Sequence, residues 1–191
     1  MIIETDASLT REECDLLRSY VGKRLISYEM KYIGGNDAWN TVRLHFDVGA
    51  IDIVSSIQRI PEDDKGSSDE FSVLRVIEAS PEAPIIPEMP GETVVRPVDK
   101  AVASFSIAND IVRYYSGDVQ DSEIIYTQAI LIDFGEGFLC IDKEAWFSEI
   151  LFVKSGSVME ELVHDDSSSL EIDPEEDPVS RMEYSSEIIA L

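Results

Sequence analysis

Positive charge is what this chain has least of. Fifteen lysines and arginines stand against 39 aspartates and glutamates in 191 residues, a formal net charge of −24. The deficit deepens along the chain. Residues 1–113 hold 20 acids and 12 bases, whereas residues 114–191 hold 19 acids and only Lys143, Lys154 and Arg181. Nucleic acids and anionic membranes are bound through clusters of Lys and Arg, so the composition argues against both as partners.

Cysteine and histidine are nearly missing as well. Cys14 and Cys140 are too few for a disulfide framework. With only His45 and His164 beside them, they form no recognisable zinc motif. There is no serine nucleophile motif. Gly135-Glu136-Gly137 is too short for a phosphate-cradling loop and lies in a hairpin, not at a strand-to-helix turn. The longest nearly apolar run, residues 145–153, is broken by Ser148 and Glu149. It falls far short of the roughly 20 residues of a membrane-spanning helix. The opening MIIETDASLT has no basic region followed by an apolar core, so no signal peptide is expected and a cytoplasmic location is. No catalytic activity and no cofactor is expected.

One metal pattern needs weighing. Asp165, Ser167, Ser169, Glu171, Asp173 and Glu176 fall on the oxygen-ligand positions of a calcium loop. Leu170 occupies the position that requires glycine, and Pro174 and Pro178 interrupt the loop and its exit helix. No metal is therefore expected.

What is present is β-structure. At this length a globular chain buries roughly 70% of its extended surface, enough for a core without staples. Residues 9–21 predict a short helix, with Thr10 as cap, Glu13 completing a capping box, and Cys14, Leu17 and Val21 on the inner face. Cys14 reads as a core residue, since Glu13 and Asp15 beside it oppose a thiolate. Alternation then predicts strands over 25–33, 39–46, 50–57 and 71–77, an antiparallel meander with one wetted face. Ile26, Tyr28, Met30 and Tyr32 share one face; Thr41, Arg43 and His45 lie on the wet one.

Pro81, Pro84, Pro87 and Pro90 recur every third residue, the period of an extended polyproline spacer. Beyond them, residues 94–107 read as pieces of strand, with helix an alternative over 98–108. Asn109-Asp110 reads as a turn, followed by strands over 111–115, 124–134 and 138–141. Residues 145–153 fit helix or strand, and 158–163 suggest a short helix. The terminal Ile188, Ile189 and Leu191 form an apolar patch that should dock.

The most legible stretch is residues 130–141, ILIDFGEGFLCI. It aligns without a gap on residues 42–53, VRLHFDVGAIDI. Val42, Leu44, Phe46, Gly49, Ile51 and Ile53 match Ile130, Ile132, Phe134, Gly137, Leu139 and Ile141. The expected fold is α+β and β-rich: antiparallel sheet built from two related β-hairpin units, one short N-terminal helix and an acidic C-terminal segment. The segments are 1–79 (helix and first β unit), 80–92 (linker), 93–156 (second β unit) and 157–191 (acidic segment). They are arranged either separately or as one compact domain.

Function follows from charge more than from motif. Charge complementarity speeds association with an oppositely charged partner and can occupy its binding groove. The reading is an acidic binding protein that neutralises a basic protein, either a toxin held by an immunity protein or a nuclease deceived by a nucleic-acid mimic. The expected partner-binding residues are Asp118, Asp121, Glu123, Asp133, Glu136, Asp142, Asp165, Asp166, Asp173, Glu175, Glu176 and Asp177. Asp133 and Asp142, flanking the hairpin, are the carboxylate pair to inspect first for acid–base chemistry, with a wet strand face the favoured reading. The alternatives are a structural interaction subunit, or a small-molecule-binding enzyme with a pocket between the β units.

Overall fold

The one helix among the described residues is α1, Arg11–Ser19. Its capping box forms as the sequence predicts. The Glu13 amide donates to Thr10 Oγ1 at 3.3 Å, and the Thr10 amide donates to Glu13 Oε2 at 2.8 Å. Leu17 is fully buried beneath it. In this computed structural model, which describes residues 2–35, 37–61, 68–85, 91–164 and 180–191, the rest is mostly antiparallel sheet.

The strands are β1 (Ile3–Ala7), β2 (Arg24–Gly34), β3 (Asp37–Phe46), β4 (Gly49–Pro61), β5 (Ser68–Ala79), β6 (Glu92–Ala101), β7 (Ser104–Ser116), β8 (Val119–Asp133), β9 (Phe138–Lys143), β10 (Leu151–Gly156) and β11 (Ser180–Ala190). The main path runs β11-β7-β8-β9-β10-β3-β2-β6. β4 leaves β3 to pair with β5, and β1 joins β8 in parallel. The C-terminus pairs with its own sheet, β11 running along β7 from Ser116 to Ser106, while Ile188 and Ile189 stay exposed.

Both hairpins point into one core. β3 pairs with β4 at Val42–Ile53, Leu44–Ile51 and Phe46–Gly49. β8 pairs with β9 at Ile130–Ile141 and Ile132–Leu139, and the Phe134 amide donates to Gly137 O at 2.9 Å. Side chains from both hairpins, α1, β5, β7 and β10 make a single hydrophobic cluster. Each apolar side chain fully buried in it is worth about 1.5–3 kcal/mol, which explains why alternation in these windows was so legible.

Several local expectations change. Leu25 is buried while Ile26 is 41% exposed, because a bulge between Leu25 and Ser27 resets the alternation of β2. The second face of β3 is not wet: Thr41 and Arg43 are buried, and Arg43 Nη1 donates to the carbonyl of Ala83 in the loop after β5. That loop begins with a turn, the Ala83 amide donating to Ser80 O at 3.1 Å, and Ile85 is buried. A continuous polyproline ridge therefore does not start at Pro81; Pro87 and Pro90 lie outside the described residues.

Asn109 and Asp110 are buried inside β7, not in a turn, where a bulge beside Ala108 shifts the register. Residues 98–108 hold the end of β6 and the start of β7, not a helix. Residues 158–163 form turns. β1 was not anticipated at all, since its five residues gain order only from the edge of β8.

Candidate functional site

The register of four strands lines up the first group of expected partner residues. Glu4 of β1 lies opposite Glu123 of β8, Glu123 opposite Arg113 of β7, and Arg113 opposite Glu183 of β11. Directly opposed residues share a face of the sheet. The next row holds Asp6, Ile125, Ile111 and Ser185, and Glu187 follows Ser185 on the same face. The face is thus a half-buried pair, Ile111 and Ile125, rimmed by Glu4, Asp6, Glu123, Glu183 and Glu187.

The bases on this face are already taken. Arg113 Nε contacts Glu123 Oε2 at 2.5 Å. Arg181 Nη2 lies 3.2 Å from Glu183 Oε1 and stacks over the Tyr115 ring at 4.4 Å. The Tyr115 hydroxyl donates to Glu183 Oε2 at 2.9 Å, a hydrogen bond that raises its pKa. At the tip of the β7–β8 hairpin, Ser116 donates to Asp121, and Asp118 is exposed in the turn. Asp118, Asp121 and Glu123 therefore gather at one end of β8.

Asp133, Glu136 and Asp142 lie at the other. Ten residues of strand separate Glu123 from Asp133, about 33 Å at the usual rise. Asp133 Oδ1 accepts the Gly135 amide at 2.6 Å and shapes the turn. Glu136 is exposed and pairs with Lys100 at 3.3 Å. Asp142 is not on a wet face: it is fully buried. Its Oδ2 accepts Lys154 Nζ at 2.9 Å and the His164 amide at 2.8 Å, while Oδ1 is buried without a hydrogen bond among the described residues. Burial raises its pKa, and Lys154 and the His164 amide pull the other way. Lys154 also donates to Leu162 O at 3.2 Å, so this ion pair straps residues 157–164 across the sheet. Asp165, Asp166, Asp173, Glu175, Glu176 and Asp177, and with them the calcium-loop pattern, lie outside the described residues.

The buried polar groups were invisible in sequence. Arg43 and Asp52 form a bidentate pair at 2.7 and 2.8 Å. Lys143 is fully buried, donates to Ser72 O at 2.7 Å and lies 4.0 Å from the Tyr126 ring centroid. The Thr127 hydroxyl donates to Asn109 Oδ1 at 2.8 Å and accepts the Leu9 amide at 3.0 Å. His45 is half-buried, not a free surface histidine, with Nε2 2.8 Å from Glu29. These groups are engaged in holding strands together.

Both thiols are buried, and burial raises their pKa, which suppresses nucleophilic chemistry. No group of three or more metal-ligating side chains converges among the described residues. No helix there is long and apolar enough to cross a membrane. No protein-family model, curated protein or solved structure matches this chain.

Proposed function

We propose that this protein binds and neutralises a basic protein, such as a cationic toxin or nuclease, through the outward face of β1, β8, β7 and β11. The carrying observation is the layout of that face: half-buried Ile111 and Ile125 inside a rim of Glu4, Asp6, Glu123, Glu183 and Glu187. An apolar centre with a charged rim is the usual anatomy of a protein-binding patch. The rim would steer a cationic partner, and the long-range field of a −24 chain adds to it. Asp118 and Asp121 extend the acidic surface to the hairpin tip. A carboxylate array of this kind can stand in for the phosphates that a basic groove expects.

We also read the two hairpins as related units. Their equal pairing register supports this, as does the strand order β6-β2-β3-β4-β5 set beside β11-β7-β8-β9-β10. On this reading the second unit supplies β7, β8 and β11 of the acidic face, and β1 adds Glu4 and Asp6 at its edge.

The test is affinity capture from the source cell at low salt, repeated at high salt. The wild type is compared with Glu4→Lys/Glu183→Lys/Glu187→Lys and with a control reversal at the exposed Glu160 and Glu161. The expected result is a basic protein retained at low salt, released by high salt, lost by the face variant and kept by the control. Retention of nothing basic at low salt, or equal loss in the control, sinks the proposal.

A further inference from the structure

The chain has nine arginines, and eight of them pair with a carboxylate: Arg11, Arg18, Arg24, Arg43, Arg59, Arg75, Arg113 and Arg181. Arg96 has no ion-pair partner among the described residues. In a protein with 39 acids this exception is informative. Arg96 is on β6, opposite Tyr28 of β2, which is opposite Leu44 of β3. Since Leu44 is a core residue, Arg96 stands on the core-facing side of the sheet, at the rim of the hydrophobic interior.

What lies in front of it is a cleft of about 380 Å³. One wall is Tyr28 and Arg96; the other is the β8–β9 turn, with Phe134, Glu136 and Phe138. The turn is held against β10 by close backbone approach, since a Cβ on Gly137 would come within 3.1 Å of Gly156 O. Lys100 closes one side. Its Nζ sits 5.6 Å from the Phe134 ring centroid and 3.3 Å from Glu136 Oε1.

Each feature narrows the ligand. A guanidinium without an ion-pair partner among the described residues, beside aromatic walls, suits a carboxylate, which it can hold with two parallel hydrogen bonds. Tyr28 and Phe134, both packed on the main core cluster, suit a flat apolar body. The volume is at the small end of ligand pockets, enough for about one ring and its substituents. Glu136 already engages Lys100, so among the described residues the cleft offers one uncompensated positive charge, not two. The field of the whole molecule repels multiply charged anions.

We propose that this cleft binds a small monocarboxylate with a planar apolar body, its carboxylate on Arg96 and its ring against Tyr28 and Phe134. The site is independent of the acidic face, since the cleft lies at the opposite end of β8.

The probes are phenylacetate, its neutral analogue phenylacetamide, and the dianion phthalate, titrated into the full chain and followed by amide chemical shifts. Phenylacetate is expected to bind saturably near millimolar affinity, as ligand size allows, with shifts centred on β6 and the β8–β9 turn. Losing a charge-assisted bond costs roughly tenfold, so phenylacetamide should bind about that much more weakly. Arg96→Gln should weaken phenylacetate to a similar degree. Being exposed and on an edge strand, it should leave the spectrum otherwise unchanged. Glu136→Gln should improve phthalate more than phenylacetate. No saturable shifts, equal binding of phenylacetamide, or unchanged affinity in Arg96→Gln would each overturn the proposal.

Discussion

Arg43 and Asp52 face each other across β3 and β4 as a buried, bidentate ion pair. At the corresponding positions of the β8–β9 hairpin stand Leu131 and Cys140, also directly opposed and also buried. The same place in two hairpins of equal register is thus filled once by charge and once by apolar atoms. The covers differ accordingly. Over Arg43 lies the loop after β5, which offers the Ala83 carbonyl; over Leu131 and Cys140 lies Leu162.

This contrast predicts a non-additive pair of substitutions. Asp52→Ala or Arg43→Ala alone leaves a buried charge without its partner and should cost about 3–5 kcal/mol. The double variant Arg43→Leu/Asp52→Val should recover most of that loss, because the pair's desolvation is removed together with its attraction. Urea unfolding of the three variants tests it. If the double variant is as unstable as the sum of the singles, the two side chains do not act as a pair.

Gly49 and Gly137 occupy matching turn positions with φ of 154° and 146°, in the region that disfavours L side chains. Their surroundings differ. A Cβ on Gly49 would meet the Tyr20 hydroxyl at 3.2 Å, the tip of a side chain that can swing away. On Gly137 it would meet the Gly156 carbonyl at 3.1 Å, which belongs to the paired strand β10. Each alanine carries backbone strain of roughly 1–3 kcal/mol, and Gly137→Ala should be the costlier. Denaturation midpoints of the two variants decide; a larger loss at Gly49 contradicts the close-approach account.

Asp142 gives a pH dependence of unusual sign for a carboxylate. Its folded pKa is raised above the ordinary 3.8, first by burial. Between the unfolded and folded values the native state holds more protons than the unfolded state. Its contribution is fully present below the unfolded value and is lost as pH rises through the raised folded value. Wild-type stability relative to Asp142→Asn should therefore fall as pH rises across that window. Taking the difference from the asparagine variant removes the contribution of the other carboxylates. Parallel curves for the two proteins would show that the folded pKa of Asp142 is not raised.

Of the seven acids on the proposed face and its hairpin tip the sequence singled out three, and the omission of the other four has a clear cause. Glu123, Asp118 and Asp121 stood out because they flank a strand with strong alternation. Glu4, Asp6, Glu183 and Glu187 did not, because β1 and β11 come from the two ends of the described chain and meet only across β8 and β7. Asp142 was misplaced because a polar residue in an alternating strand looks exposed unless the cover on that face is known. The Arg96 cleft was hidden for a similar reason: its walls come from β2, β6 and a turn more than thirty residues downstream of β6.

The sequence alone determined the local features. The Thr10 capping box, the pairing register of residues 42–53 and 130–141, the scarcity of base and the burial of Cys14 depend on neighbours a few residues apart or on composition. Only the tertiary structure decided which second faces are covered, where the bulges at Leu25 and Ala108 reset alternation, and that β6 and β11 close on β2 and β7. The physical reason is that a period of two names the two faces of a strand but not what will lie against either. That depends on distant segments whose pairing is settled by the burial and hydrogen bonding of the whole chain.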